Sequence, residues 1–158
     1  MSDLSHVGSA GEARMVDVSE KRAGARMARA AGTIRMSRAA FDAVRQNQVA
    51  KGDVLGVARV AGIQAAKRTA ELVPLCHQVP LSNVDVTFAA DDELPGYRVE
   101  ATARTVAGTG VEMEALTAVA VALLTLYDMA KALDKAMTIG EIMLLEKLGG
   151  KSGRWTRA

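Results

Sequence analysis

The chain has little of what small proteins use to bind metals, form disulfides or stack on nucleic-acid bases. Its 158 residues include one cysteine, two histidines, three prolines and few aromatics, namely one Trp, two Tyr and two Phe. Cys76 has no second cysteine to pair with, and one cysteine with two histidines makes a poor set of zinc ligands. The near balance of 20 basic and 18 acidic residues and the scarcity of aromatic platforms argue against nucleic-acid binding. We therefore expect no metal site, no disulfide and no nucleic-acid partner.

Long hydrophobic runs and targeting signals are missing as well. The longest apolar run without a charge spans 115–127, which is too short to cross a bilayer and is typical of a buried helix. Residues 1–14 are rich in Ser, Gly and Ala and have no apolar core, so they do not resemble a signal peptide. The sequence predicts a cytoplasmic protein with no membrane partner, beginning with a flexible N-terminal arm at 1–14.

What is present is the composition of one folded domain. Hydrophobic residues make up 49% of the chain and charged residues 24%, and a domain of this length removes about 70% of its unfolded surface from water. We expect a single α+β domain at 15–148 and a glycine-rich, basic C-terminal tail at 149–158. Apolar alternation, capping residues and turn residues predict the elements of the domain. In chain order these are a β-prone piece at 15–19, a strand within 21–38, a short helix after Ser37, a helix from Asp53 to Leu72, strands at 84–88 and 97–106, a helix at 111–135 and a strand at 138–145.

The order of these elements predicts the architecture. Segregated strands and helices with an antiparallel hairpin indicate the α+β class, with a ferredoxin-like antiparallel sheet and its helices packed on one face. The helix at 111–135 is apolar nearly all round, although the chain is small. Because such a helix needs cover on more than one side, we expect an oligomer.

Polar side chains on that apolar helix are the first candidates for chemistry. Thr125 and Asp128 each fall within about 40° of Glu114 at 100° per residue, and Lys131 is a surface neighbour of Asp128. One interpretation is a solvent-facing stripe with an Asp128–Lys131 ion pair. The other is an acid–base pair in a cleft, with pKa values tuned by burial and by neighbouring charge. The pattern alone leaves both open.

Several loops carry further candidates, each with a structural alternative. His77 lies between two prolines and beside Cys76, where a histidine is either structural or functional. Lys51 precedes a glycine and is either solvated or free to reach into a cleft. The turn at 108–110 favours a tight helix entry over a phosphate loop, because two glutamates follow it closely. Two lysines beside or within the glycine-rich C-terminal segment, Lys147 and Lys151, are either phosphate ligands or solubilising charges.

Together these segments resemble one family along nearly the whole chain, from about residue 4 to residue 153. In order they are Met15-Val-Asp-Val-Ser19, Lys51-Gly-Asp-Val54, Ala61-Gly-Ile-Gln-Ala-Ala-Lys67, Pro74-Leu-Cys-His77, Gly108-Thr-Gly-Val-Glu-Met-Glu-Ala-Leu-Thr117, Tyr127-Asp-Met-Ala-Lys131 and Gly149-Gly-Lys-Ser-Gly153. They are similar to the motifs of the cyclic pyranopterin monophosphate synthases, the molybdenum-cofactor biosynthesis protein C family.

The resemblance implies a lyase of molybdenum cofactor (molybdopterin) biosynthesis. The subunit would be ferredoxin-like and catalytic, in a homohexamer built as a trimer of dimers with active sites at dimer interfaces. It would convert 3′,8-cyclo-7,8-dihydro-GTP, made by the radical GTP cyclase of the same pathway, to cyclic pyranopterin monophosphate and pyrophosphate. No cofactor would be required, and any Mg²⁺ would accompany the triphosphate.

The same resemblance implies the site residues. Asp128 and Lys131 match the acid–base residues, and Lys51 matches a catalytic lysine. The residues that match substrate-contacting segments are Leu75, Cys76, His77, Met113 and Glu114. The family usually has a proline after Leu-Cys-His, where this chain has Gln78, so the backbone at His77 is less restrained.

Two alternatives stay open. A non-catalytic oligomeric module of ferredoxin-like fold, binding or sensing a nucleotide, competes with the enzyme; the joint presence of the lysine, histidine and carboxylate candidates favours the enzyme, because binding alone needs no acid–base set. We also predict a composite site, with Lys51 and His77 contributed by a different subunit from Asp128 and Lys131. A site made within one chain is the alternative.

Overall fold

The computed structural model describes residues 6–158, and residues 1–5 of the expected arm lie outside this range. The elements are β1 (Gly24–Arg35), α1 (Arg38–Arg45), α2 (Val54–Lys67), α3 (Thr69–Leu72), β2 (Leu81–Asp91), β3 (Gly96–Ala107), α4 (Glu112–Ala130), β4 (Thr138–Leu148) and β5 (Trp155–Thr156). The alternating strand, the Ser37 helix, the hairpin and the final long strand are confirmed. Within the rest of the arm, Val7 forms a β-bridge with Ala13.

The strands form one antiparallel sheet in the order β2-β3-β1-β4-β5. Its four long strands and the helices between them follow the order β-α-β-β-α-β, which is that of the split β-α-β motif. In β1 the residues facing the helices, Ala28, Ala30, Gly32 and Ile34, are buried. The α+β class and the antiparallel sheet are therefore confirmed.

The core lies between the sheet and two helices. α4 packs against β1, β3 and β4, and α2 packs against α4 and β2. A Cβ atom at Gly32 in β1 would lie 2.8 Å from side-chain carbons of Val119 and Leu123 in α4. A Cβ atom at Gly62 in α2 would lie 2.9 Å from the carbonyl oxygen of Ala118. Because interiors are close-packed, these two glycines set how closely α4 approaches its neighbours.

The helix predicted from Asp53 to Leu72 is interrupted. The Asp53 carboxylate accepts a hydrogen bond from the backbone N–H of Gly56 and caps α2 as predicted. α2 then ends at Lys67, and a short α3 follows. The Thr69 hydroxyl donates to carbonyl oxygens in the last turn of α2, so the side chain replaces regular helical bonding at the junction.

Two further expectations differ from the structure. Residues 15–19 lie outside any strand. α4 ends at Ala130 rather than at 135, because the Asp134 carboxylate accepts hydrogen bonds from the backbone N–H groups of Ser37 and Ala136. These bonds hold the chain in a turn that leads into β4.

α4 is the helix predicted from the apolar run, and it is the core helix. Within the described residues it is the one helix long and apolar enough to be considered as a membrane span, with 19 residues and a mean hydropathy of 1.5. Half of that stretch is buried inside the fold, between three strands and α2.

The other face of the sheet carries a row of paired charges. Arg29 in β1 contacts Glu100 in β3, with 3.1 Å between nitrogen and oxygen, and Glu146 in β4 at 3.5 Å. The second carboxylate oxygen of Glu146 lies 2.7 Å from the Arg154 guanidinium. The residues expected to form a tail thus return along the sheet, where β5 pairs with β4.

Candidate active site

Three of the predicted residues meet at the C-terminal end of α4. Asp128 lies in the last turns of the helix, Lys131 follows directly after its end, and Lys51 lies in the loop before α2. The Lys51 Nζ atom is 3.0 Å from Asp128 Oδ2, and the Lys131 Nζ atom is 2.6 Å from Asp128 Oδ1. Lys51 also donates to the backbone carbonyl of Asp128 at 3.1 Å. We call these three residues the carboxylate–lysine cluster.

The charges of this cluster reinforce one another. Hydrogen bonds from Lys131 and then from Lys51 lower the pKa of Asp128 below its ordinary value, and the Asp128 carboxylate raises the pKa of Lys131. All three side chains are about half exposed and line a cavity of about 470 Å³. At neutral pH the cluster therefore presents an ionised carboxylate and a protonated amine to solvent or to a ligand, which are a base and an acid.

The other five predicted residues meet at the opposite end of α4. They line a cavity of about 380 Å³, which we call the histidine cavity. The loop between α3 and β2 supplies one side of it, and the first turn of α4 supplies the other. The predicted residues that line it are Leu75, Cys76, His77, Met113 and Glu114.

Glu114 is the unusual group in the histidine cavity. It is only 2% exposed, and among residues 6–158 its Oε2 atom has no hydrogen-bond partner. The Cys76 thiol is 3.9 Å from the other oxygen, Oε1. Burial raises the pKa of Glu114, and burial followed by the Glu114 charge raises the pKa of Cys76. A buried acceptor without a partner is costly, and a ligand with an N–H group would satisfy it.

His77 is held by the segment at 15–19. Its Nε2 atom bonds to the backbone carbonyl oxygen of Val16. Because a carbonyl only accepts, Nε2 is the protonated nitrogen, and a neutral ring leaves Nδ1 as an acceptor. The β-prone piece of the sequence therefore orients His77 instead of joining the sheet.

Within one chain, the carboxylate–lysine cluster and the histidine cavity lie at opposite ends of α4 and do not meet. Asp128 comes 14 residues after Glu114 on the same helix, which is about 21 Å of helical rise. Lys51 contacts Asp128 within one chain, so the prediction that Lys51 joins His77 on a different subunit is wrong for Lys51. The prediction failed because it relied on the reach of a loop lysine, whereas the loop folds back onto the end of α4.

A third cavity, of about 790 Å³, adjoins the histidine cavity and is lined by basic side chains. The two cavities share Thr109, Gly110 and Glu112 as lining residues. Lys147 crosses the space toward Glu112, with 3.6 Å between Nζ and Oε1. The basic residues that line this cavity, which we call the basic cavity, are Lys21, Arg22, Arg26, Lys147 and Lys151.

The sequence predicts Lys147 and Lys151 as either phosphate ligands or solubilising charges, and it singles out no role for Lys21, Arg22 or Arg26. The sequence does carry a signal for a basic site, because residues 21–38 contain six basic residues and no acidic one. Strand alternation distributes such charges over both faces of a sheet. The sequence alone therefore does not tell which of them share a cavity with residues more than 100 positions away.

An α+β fold with an ion-paired carboxylate, a cavity holding a buried carboxyl group and an adjoining basic cavity defines a protein equipped for acid–base chemistry on a small anionic molecule. Comparison with known proteins agrees with this class. Residues 15–150 match the MoaC family, and the chain belongs to that family.

Curated relatives are similar over nearly their whole length. A protein of Thermomicrobium roseum is 55% identical over 157 residues, which cover 99% of this chain and 95% of the relative. One from Novosphingobium aromaticivorans is 58% identical, with 100% and 99% covered, and one from Trichodesmium erythraeum is 56% identical, with 96% and 91% covered. Each is named cyclic pyranopterin monophosphate synthase. The family predicted from the motifs is confirmed.

Proposed function

We propose that this chain is a lyase of molybdenum cofactor biosynthesis that forms cyclic pyranopterin monophosphate. Its substrate is 3′,8-cyclo-7,8-dihydro-GTP, and pyrophosphate is released. Family membership and more than half identity to synthases support the assignment. The observation that carries it is the Asp128 carboxylate held between the amines of Lys51 and Lys131.

The carboxylate–lysine cluster supplies the proton transfers. Remaking a ring of the purine-derived nucleotide requires protons to be removed and added at nitrogen and carbon atoms. Asp128 is ionised and accepts a proton, whereas Lys131 is protonated and donates one. Lys51 holds the second carboxylate oxygen in place and adds a positive charge beside the reacting atoms.

The other two cavities bind the substrate. We assign the heterocycle to the histidine cavity, where a ring N–H would satisfy the free Glu114 oxygen. We assign the triphosphate to the basic cavity, where lysines neutralise the charge that develops on departing pyrophosphate. The two cavities share a wall, as the base and the triphosphate of one nucleotide require.

A complete site needs a second copy of the chain. The carboxylate–lysine cluster and the histidine cavity lie about 21 Å apart along α4, so we propose that the cluster of one subunit faces the histidine cavity of another. Exposed apolar side chains on the helices support association; they include Val57, Val60, Leu72 and Leu124. The assembly proposed is a homohexamer, a trimer of dimers.

The donor set does not fit a resident metal ion. Within residues 6–158 no three His, Cys, Asp or Glu side chains are grouped so as to hold one. We propose that the enzyme needs no cofactor and that any Mg²⁺ arrives on the triphosphate oxygens. The substrate would come from a radical GTP cyclase in the same compartment, the cytoplasm.

A conversion assay tests the function. Purified protein mixed with the cyclised nucleotide should yield cyclic pyranopterin monophosphate by mass spectrometry and an equal amount of pyrophosphate in a coupled pyrophosphatase assay. Calorimetry measures binding in parallel. Tight binding without conversion would reject the synthase in favour of a nucleotide-binding module.

A further inference from the structure

The C-terminal segment is fastened to the sheet at several points. β5 pairs with β4 beside Glu146 and Lys147. Just beyond β5, Arg157 donates from its backbone N–H and from its Nε atom to carbonyl oxygens of β4, at 2.8 and 2.7 Å. The chain between β4 and β5 therefore forms a closed loop and not a free tail.

This loop, residues 149–153, which we call the glycine loop, lies against the wall of the basic cavity. Gly149, Gly150 and Gly153 have φ angles of 99°, 79° and 61°, which glycine adopts without strain. A Cβ atom at Gly150 would lie 2.5 Å from the Arg26 guanidinium, so the loop backbone rests directly on that side chain. Lys151 and Ser152 line the cavity from the loop.

Arg154 joins the end of the glycine loop to the charged row on the outer sheet face. It contacts Glu146 at 2.7 Å, and Glu146 is 8% exposed and also contacts Arg29. Arg154 itself does not line the basic cavity. Its contact with a nearly buried carboxylate is therefore suited to holding the loop and not to touching a ligand in the cavity.

We propose that Arg154 is a positioning residue, which acts through Glu146 to hold the glycine loop so that Lys151 faces the triphosphate end of the substrate. The inference rests on the proposed function, because it takes the basic cavity as the triphosphate site. A loop rich in glycine loses much conformational entropy when it becomes ordered. Fastening both of its ends removes part of that cost before the ligand binds, which tightens binding.

Arg154→Ala tests the proposal in the otherwise complete enzyme. We expect the KM for the cyclised nucleotide and the Kd for inorganic triphosphate to rise about threefold to fivefold, the scale of an ion pair whose arginine is largely exposed, with kcat within about twofold of wild type. Arg154→Lys keeps a charged donor for Glu146 and should restore most of the affinity. The matched control is Arg98→Ala, which removes an arginine paired with Asp91 at 3.0 Å near the distant β2–β3 turn and should change neither constant.

A double-mutant cycle separates positioning from direct contact. Glu146→Gln should raise the same two constants, and adding it to Arg154→Ala should bring little more, because both remove the Arg154–Glu146 ion pair and the other partner of Glu146, Arg29, does not line the basic cavity. The inference is overturned if the effects of the two substitutions add, or if Arg154→Ala leaves the KM and the Kd unchanged. In either case, conversion of the nucleotide by the wild-type protein still supports the proposed function. Failure of wild type to convert the nucleotide overturns the function instead, and the affinity for inorganic triphosphate still decides on Arg154.

Discussion

Asp128 accepts hydrogen bonds from two amines through two different oxygen atoms. Rotation of the carboxyl group would break both, so its orientation is defined although the side chain is half exposed. The two lysines lower the pKa of Asp128, and Asp128 raises the pKa of Lys131. A low carboxyl pKa and a high amine pKa keep both groups charged across the neutral range, so a base and an acid are available at one pH.

Asp128→Asn should therefore lower kcat by about 10² to 10⁴-fold, because the amide cannot take up a proton. The melting temperature should change little, since exposed ion pairs contribute little to stability. Steady-state kinetics and calorimetric melting measure the two quantities.

The matched control for this variant is Asp92→Asn. Asp92 also accepts from two cations, Arg38 at 3.0 Å and Arg45 at 3.2 Å, but at the β2–β3 turn. The kcat of the Asp92→Asn variant should equal that of wild type. An Asp128 variant that loses activity only in proportion to folded protein would show that the cluster is a structural ion pair.

At the scale of elements, what could be predicted was local. Alternation in β1 and the caps at Ser37 and Asp53 involve residues a few positions apart, and the structure confirms all three. The contact between Lys51 and Asp128 spans 77 positions, and no local pattern encodes it. The interrupted α2–α3 helix depends on one threonine hydroxyl that competes with regular helical bonding, which periodicity does not detect.

The closeness of β1 to α4 leads to a prediction about stability. Gly32→Ala would place a methyl group 2.8 Å from Val119 and Leu123 carbons, so we expect about 1–3 kcal/mol of destabilisation from overpacking. Gly140→Ala in the neighbouring β4 meets nothing within 4 Å and is the control. Urea unfolding measures both, and equal midpoints would show that β1 shifts away from α4 at no cost.

At the scale of the whole molecule, the division of the site predicts complementation. Mixing inactive Asp128→Asn with inactive Glu114→Gln subunits should restore activity, because about a quarter of the randomly assembled composite sites would combine an intact Asp128 of one subunit with an intact Glu114 of another. Mixing Lys51→Ala with Asp128→Asn should restore none, since these residues belong to one cluster in one chain. Native mass spectrometry verifies subunit exchange.

The reverse pattern would contradict the composite site. No recovery in the first mixture, with exchange verified, means that a site does not combine the cluster of one subunit with the histidine cavity of another. Recovery in the second mixture means that Lys51 and Asp128 serve different sites.

α4 fixes both the distance and the angle about its axis between Glu114 and Asp128. Glu114 and Asp128 are 14 residues apart on it, and one inserted or deleted residue between them would shift Asp128 by about 1.5 Å and rotate it by about 100° around the helix axis. That rotation would carry Asp128, together with its i+3 neighbour Lys131, away from Lys51, which would lose its partner. Changes in chain length can therefore be absorbed in the turn between α4 and β4, but not inside α4.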